Sequence, residues 1–237
     1  TTRAETGHPV GQIFGYVHDR LFTEDDFKDV ENGVLKDGVP KQTFTAKVRP
    51  GDIKYVDLDK NGFIDTYDQM AIGGTENPEI VYGFGVNLRW KELDFGAMFQ
   101  GIGRTWRILS SNIMPASNKG SMYNIFDNYQ DRWTVENPSQ DVYYPRLTWG
   151  KSENNVRNST WWLENMSFLR VKDIEIGYTL PKSWVRQIGL SNIRLYAKGS
   201  NLFTFSKFDL WDPEVDTSVG TKYPIMKSFS AGFDINF

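Results

Sequence analysis

Five stretches of this chain alternate apolar and polar residues with a period of two. In "VYGFGVNLRW", Tyr82, Phe84, Val86, Leu88 and Trp90 fall on one face and Gly83, Gly85, Asn87 and Arg89 on the other, as a pleated strand requires. Lys91-Glu92 then makes a tight turn into "LDFGAMFQG", where Leu93, Phe95, Ala97 and Phe99 oppose Asp94, Gly96, Met98 and Gln100. In "SFLRVKDIEIGYTLP", Leu169 and Val171 share one phase and Ile174, Ile176 and Tyr178 the other. A one-residue slip of this kind predicts a β-bulge. "IRLYAKGS" places Ile193, Leu195 and Ala197 together, and the last stretch, "KSFSAGFDINF", does the same with Phe229, Ala231, Phe233, Ile235 and Phe237. Five antiparallel strands follow, each near the nine to eleven residues with which a tilted strand crosses an outer membrane.

The connections sharpen the choice of fold. Short ones lie at 91–92 and at 181–191, the second with room for one helical turn; long ones lie before 81, at about 102–166 and at about 202–226. Alternating short and long connections describe an outer-membrane barrel, with short turns in the periplasm and long loops outside. One-sided alternation also describes a soluble sandwich with one hydrated face. Loops beyond ~15 residues are uncommon in compact domains, however. Phe, Tyr and Trp make up 15% of a chain whose mean hydropathy is only −0.49, and Tyr82, Trp90 and Tyr178 sit near strand ends, where a barrel carries its aromatic girdles.

Residues 1–80 are loop-like, with short strand candidates in "GQIFGYVHDRLF" and "GDIKYVDL" and room for a helical turn in "TEDDFKDVENGVL". Within them "DLDKNGFIDTYD" has the spacing of an EF-hand loop. Asp57, Asp59 and Asn61 fill its first, third and fifth positions; Gly62 allows the sharp turn, Phe63 offers a carbonyl, and Asp65 and Asp68 fill the ninth and twelfth. Calcium takes six to eight oxygens, and a flexible loop can supply them. Asp68 stands where a bidentate Glu is usual, one methylene short. The flanks read as strand before and a turn or two after, so the expectation is a structural Ca2+ brace, not a sensor that opens a helix pair. The competing reading is an Asx-turn loop held by its own hydrogen bonds.

Other chemistry is bounded by composition. Net charge is −3, which gives no electrostatic footprint for nucleic acid. There is no cysteine, and His8 and His18 are the only histidines, so neither a thiolate metal site nor a Ser-His-Asp or Cys-His relay can be assembled. No carboxylate pair is singled out as a glycosidase pair; the chain reads as no enzyme. "TTRAETGHPV" has no basic segment followed by an apolar one, so no signal peptide is read. Trp106, Trp133, Trp149, Trp161, Trp162 and Trp211 lie in or near the long loops. They suit stacking on sugar or peptide, or, as the simpler reading, the loops' own apolar core and a partner surface. Arg104, Arg107, Asp131 and Arg132 are open to the same two readings.

Taken in order, "GHPVGQIFGYVHDRLF", "GDIKYVDLDKNGFIDTYDQMAIG", "PEIVYGFGVNLRWKELDFGAMFQG", "FLRVKDIEIGYTLPKSW" and "IRLYAKGSNLFTFSKFDLWDPE" resemble the C-terminal part of the SusC/RagA family of TonB-dependent outer-membrane transporters of Bacteroidetes. The resemblance implies an all-β fold: five antiparallel strands of a large, roughly 22-stranded transmembrane β-barrel with long extracellular loops. It implies residues 1–80 as an extracellular loop region and 81–237 as barrel strands and loops. It also implies partners. The remainder of the barrel and its plug, in the same protein or another chain, close the wall, and a SusD-like surface lipoprotein covers the outer face. A TonB complex acts through the plug, glycan or peptide is the cargo, and the lipid bilayer surrounds the whole. Five strands alone would leave two open edges. The alternative kept beside it is a secreted calcium-dependent carbohydrate-binding β-sandwich, which would bury its apolar strand faces.

Overall fold

The computed structural model describes residues 5–109, 113, 127–148, 150 and 152–237. In chain order the strands are β1 (Gln12–Tyr16), β2 (His18–Leu21), β3 (Phe27–Asp29), β4 (Val34–Leu35), β5 (Lys41–Gln42), β6 (Ile53–Tyr55), β7 (Phe63–Ile64) and β8 (Gln69–Thr75). They continue with β9 (Ile80–Trp90), β10 (Leu93–Gly103), β11 (Trp106–Ile108), β12 (Leu163–Asn165), β13 (Phe168–Thr179), β14 (Asn192–Ser206) and β15 (Ser228–Asn236). One short helix, α1 (Lys182–Val185), runs into a 3-10 turn over Arg186–Ile188. No helix is long and apolar enough to cross a membrane, which leaves crossing by strands untouched. The chain divides into two compact units, Thr1–Glu76 with Trp106–Glu164, and Asn77–Thr105 with Asn165–Phe237.

The first unit is a set of small sheets: β1 with β8, β2 with β6, β3 with β4, and the parallel pair β5 and β7. In strands of two to seven residues many backbone groups must find partners beyond the ladder, and they do so in other main-chain segments, as where the Tyr16 N–H donates to the Asn158 carbonyl, and in side chains. Asn155 accepts from the Ile53 N–H at 3.0 Å, Asn154 donates to the Ile53 carbonyl at 2.7 Å, and the Tyr55 hydroxyl donates to the Asn154 carbonyl at 2.8 Å. Buried Asp52 takes two hydrogen bonds from Arg146, both at 3.1 Å, and one from Asn155 at 2.9 Å. The same unit buries Ile13, Leu21, Ile53, Tyr55, Ile64 and Trp162, all essentially inaccessible. Trp162 donates its indole N–H to the Asn155 carbonyl at 2.7 Å. A second cluster gathers Phe22, Phe27 and Val48.

The second unit is one antiparallel sheet in the order β15-β14-β13-β10-β9. Two-residue register between β9 and β10 is set by Lys91, which takes the left-handed backbone (φ 56°) that such turns need. The phase slip in β13 is a bulge: Met98 pairs Asp173 and Phe99 pairs Val171, leaving Lys172 extra. The bulge keeps Leu169 and Val171 on the same face as Ile174 and Ile176 despite their different parity. Strand β14 is longer than the sequence suggests. The sequence pattern predicts a loop from about 202. Instead Asn201 adopts φ 55°, which Asn tolerates, and the strand continues with Phe203 opposite Val171 and Phe205 opposite Leu169. The segment from about 102 to 166 is likewise not wholly irregular, since it contains β11 and β12.

The apolar face of this sheet is left uncovered by the rest of the chain. Phe229 is 79% and Phe233 66% accessible, and Phe84, Val86, Leu88, Trp90, Phe203 and Phe205 are exposed beside them. A water-soluble sandwich would bury that face. A barrel wall presents it to lipid.

Candidate functional site

The acidic loop is built around a 3-10 turn over Thr66–Asp68. Asp65 caps it by accepting from the Tyr67 N–H at 2.8 Å, and Asp68 returns the bond by accepting from the Asp65 N–H at 2.8 Å. The other Asp68 oxygen accepts from the Leu58 N–H at 2.7 Å, and the residue is fully buried. Asp57 accepts from the Gly62 N–H at 2.8 Å across a turn in which Lys60 and Gly62 both have positive φ. Asp59 accepts from Asn61, and Asn61 in turn from the Phe63 N–H at 2.7 Å.

Of the six residues singled out in the sequence, the loop brings three carboxylates together: oxygens of Asp57, Asp59 and Asp68 lie within 4.8 Å of one another. Asn61 and Asp65 each have a side-chain oxygen engaged by a backbone N–H. Phe63 sits in β7, where Gly62 and Ile64 direct their carbonyls to the 41–43 segment; alternation turns the Phe63 carbonyl the other way. One Asp57 oxygen is buried with no partner among the described residues. Three carboxylates at this separation repel one another, and a hard divalent cation with oxygen ligands suits them.

The inward face of the sheet carries an ion-pair lattice. Arg194 on β14 donates to Asp94 on β10 at 3.0 Å and 2.5 Å and to Glu175 on β13 at 2.7 Å, and approaches Asp234 on β15 at 3.5 Å. Lys198 lies 3.3 Å from Asp173, which also accepts from the Ser200 hydroxyl at 2.5 Å. Gly177 stands in register beside Asp94 and Tyr196, and a side chain there would occupy the space of the Arg194 and Asp94 groups. Gly83, Gly85 and Gly96 floor an open recess of about 760 Å³ on this face, walled by Arg89, Asp94, Glu175 and Lys198.

The loop aromatics are largely engaged in packing. Trp133 is buried and covers Gly51, whose φ of 85° and closeness to the indole leave no room for a side chain. Trp161 donates to the Tyr143 carbonyl at 3.1 Å and meets His18 edge-on at 5.3 Å. Trp106 lies against Gly73, and Trp211 meets Phe208 edge-on at 4.9 Å. Trp149 lies outside the described residues. Arg104 pairs with Glu79 at 3.3 Å, Asp131 accepts from the Tyr143 N–H at 3.2 Å, and Arg132 lies 5.3 Å from the Tyr129 ring.

One group escaped the sequence reading. Arg170 is 1% exposed, although it stands on the polar face of β13. Its guanidinium pairs with Asp212 at 2.5 Å and Glu214 at 3.3 Å, tying the β14–β15 loop to the sheet. Alternation marks Arg170 only as polar; the two acids of "WDPE" were its signal, but pairing over 42 residues is not visible in a linear pattern.

No family model matches the chain. It is 32% identical over 166 residues to TonB-dependent receptor P26 of Formosa agariphila, covering 69% of this chain and 16% of that protein. It is 27% identical to TonB-dependent receptor P3 of the same organism over 98% of its own length and 22% of the relative's. It is 25% identical to TonB-dependent receptor SusC of Bacteroides thetaiotaomicron, over 84% of this chain and 19% of SusC. Among solved structures, the RagAB peptide importer in its closed-closed state matches 95% of the chain and 23% of the longer one, with a TM-score of 0.63 and 26% identity. In the open-open state the TM-score is 0.65 at 24% identity. The chain therefore spans about a fifth of the length of the curated relatives it matches. None of these likenesses supports the secreted sandwich, and the exposed apolar face opposes it. With its uncovered apolar face, its ion-paired opposite face and this set of relatives, the chain is similar over most of its length to TonB-dependent receptors, SusC among them, and folds like a stretch of the RagAB importer.

Proposed function

We propose that this chain forms part of the barrel wall and loops of an importer that takes up glycan or peptide without chemical conversion. The observation that carries the reading is the sheet's apolar face, which nothing in the chain covers, opposite a face that is ion-paired. Its partners are the rest of the barrel and plug, a SusD-like lipoprotein on the outer side and a TonB complex that energises the plug. The turns at 91–92 and 181–191 face the periplasm and the long loops face outside; residues 1–80 are an extracellular loop region, and 81–237 hold the wall strands with their loops. The test is uptake of labelled oligosaccharides and peptides by cells with and without the full-length receptor gene, each with and without a protonophore. Receptor- and gradient-dependent accumulation of one class is the expected result. Equal accumulation in both strains overturns the reading.

In the same reading the acidic loop is a static calcium brace for the external region. Its support is the convergence of Asp57, Asp59 and Asp68 and the unpartnered Asp57 oxygen, with Asn61, Phe63 and Asp65 as further ligands. Extracellular modules of this kind bind at about 10⁻⁴–10⁻³ M. Calcium in that range should raise the thermal stability of the full-length receptor, and Asp57→Asn with Asp68→Asn should abolish the rise. If EGTA and calcium give the same melting curve for the unaltered protein, the loop is held by its Asx hydrogen bonds alone.

A further inference from the structure

The turn between β13 and β14 exposes more apolar surface than its own packing explains. Val185 docks it, at 1% exposure, yet its neighbours Trp184 and Ile188 are 64% and 65% exposed. The spacing of four sets Trp184 and Ile188 on one side of the turn and Lys182 and Arg186 on the opposite one, the arrangement of an amphipathic segment lying in an interface. Neither Lys182 nor Arg186 has an ion-pair partner among the described residues. Gly189, at φ 78°, ends the turn and returns the chain to β14.

The same end of the sheet gathers further groups of this kind. Trp90 closes β9 and is exposed, with the Lys91 ammonium 5.0 Å above its ring. Tyr178 pairs with Leu93 and Leu195 at the end of β13, and Phe237 follows β15 almost fully exposed. The exposed surface of the turn is thus continuous along the chain with the strands that bear the lipid-type face: Tyr178 precedes it and Ile193 and Leu195 follow it. Indole rings favour the bilayer interface, where one edge is apolar and the other wet. Lys and Arg bury their stems there and keep their charges at the phosphates.

From this we infer that the 181–191 turn is an interfacial anchor: Trp184 and Ile188 seat in the adjoining leaflet, and Lys182 and Arg186 pair with glycerophospholipid phosphates. The inference rests on the barrel reading, and its test separates the two. Spin labels are placed one at a time through Ile188→Cys, Val86→Cys and Val10→Cys in the full-length receptor, in nanodiscs of phosphatidylethanolamine and phosphatidylglycerol. Collision with oxygen against a water-soluble nickel complex then reads depth. The expected result is a lipid reading at 86, an aqueous reading at 10, and a reading at 188 shifted from 10 towards 86. A lipid reading at 86 with an aqueous one at 188 overturns the anchor and leaves the barrel standing. An aqueous reading at 86 overturns the barrel. Charge reversal with Lys182→Glu and Arg186→Glu should shift the label at 188 towards water and remove its dependence on the phosphatidylglycerol fraction. An unchanged depth after reversal overturns the phosphate pairing.

Discussion

The two units of this chain apply opposite rules of burial. In the first, Trp162, Tyr55 and Ile53 are inside, and the apolar residues left outside, such as Val10, Tyr67 and Val135, are scattered along the chain. In the second, Phe84, Phe203, Phe229 and Phe233 are outside, while Arg194, Asp94 and Glu175 pair with one another on the inner face. The difference shows that burial follows the solvent each surface meets rather than residue type. It also shows two ways to satisfy a backbone. The sheet, with strands of nine to fifteen residues, does so through its own ladder. The loop unit, with strands of two to seven residues, depends on Asn, Asp and Trp side chains that reach back to main-chain groups.

The largest effect should come from Trp162. Trp162→Ala empties a core site and leaves the Asn155 carbonyl without its donor. Large-to-small changes of this kind cost about 3–5 kcal/mol. Hydrogen exchange of the full-length receptor in detergent should show lost protection at Ile53 and Tyr55, with β13 and β14 unaffected. Equal loss in both units would mean that they are not separate cooperative blocks, and the comparison above would fail.

Next in size is a pair of changes that probes the inversion itself. Val86 stands mid-strand on the apolar face, and Lys198 on the polar face. Arg at a lipid-facing midplane position costs about 2–4 kcal/mol, so Val86→Arg should lower stability by that amount in denaturant titration from lipid vesicles. Lys198→Leu removes a partly exposed ion pair and should cost no more than about 1 kcal/mol. In a water-soluble fold Val86→Arg would be the neutral change. Reversal of the two magnitudes would therefore remove the lipid-facing assignment.

What could be read in advance follows from the same contrast. Period-two alternation is a local signal, so Tyr82 to Trp90 and Phe229 to Phe237 disclose their strands and faces directly, and the slip at Lys172 discloses its bulge. The continuation of β14 beyond 202 was not legible, because a left-handed residue such as Asn201 serves equally a turn or a bulge, and only the partner strand decides between them. The loop unit was legible in its acidic spacing, where Asp57, Asp59 and Asp68 do converge. It was opaque in its core. The contacts that build it join residues about a hundred positions apart, such as Ile53 with Asn155 and Asp52 with Arg146. No periodic pattern carries that information. Arg170 and Arg194 were invisible for a related reason: alternation assigns a face, but not the partners across it.

The smallest of the three effects is a titration confined to the loop unit. Asp26 is nearly inaccessible, and burial alone would raise its pKa. It is outweighed by Arg20, whose two nitrogens donate at 2.7 Å and 2.6 Å, by the Thr23 N–H at 2.9 Å and by Lys54 at 3.5 Å, so the carboxyl is held down at about 2. The folded value is below the ordinary value of 3.8, so the unfolded chain binds the proton more readily. Stability from this group is then fully present above about pH 4 and is lost as pH falls towards 2, by about 2 kcal/mol in all. Protection of the Leu21 and Phe22 amides should fall across that window in the unaltered protein. In Asp26→Asn it should already be lower at neutral pH and show no such step. If Asp26→Asn keeps the step, the acid sensitivity of the loop unit belongs to another carboxylate, and the Arg20 clasp is not what secures the β2–β3 connection.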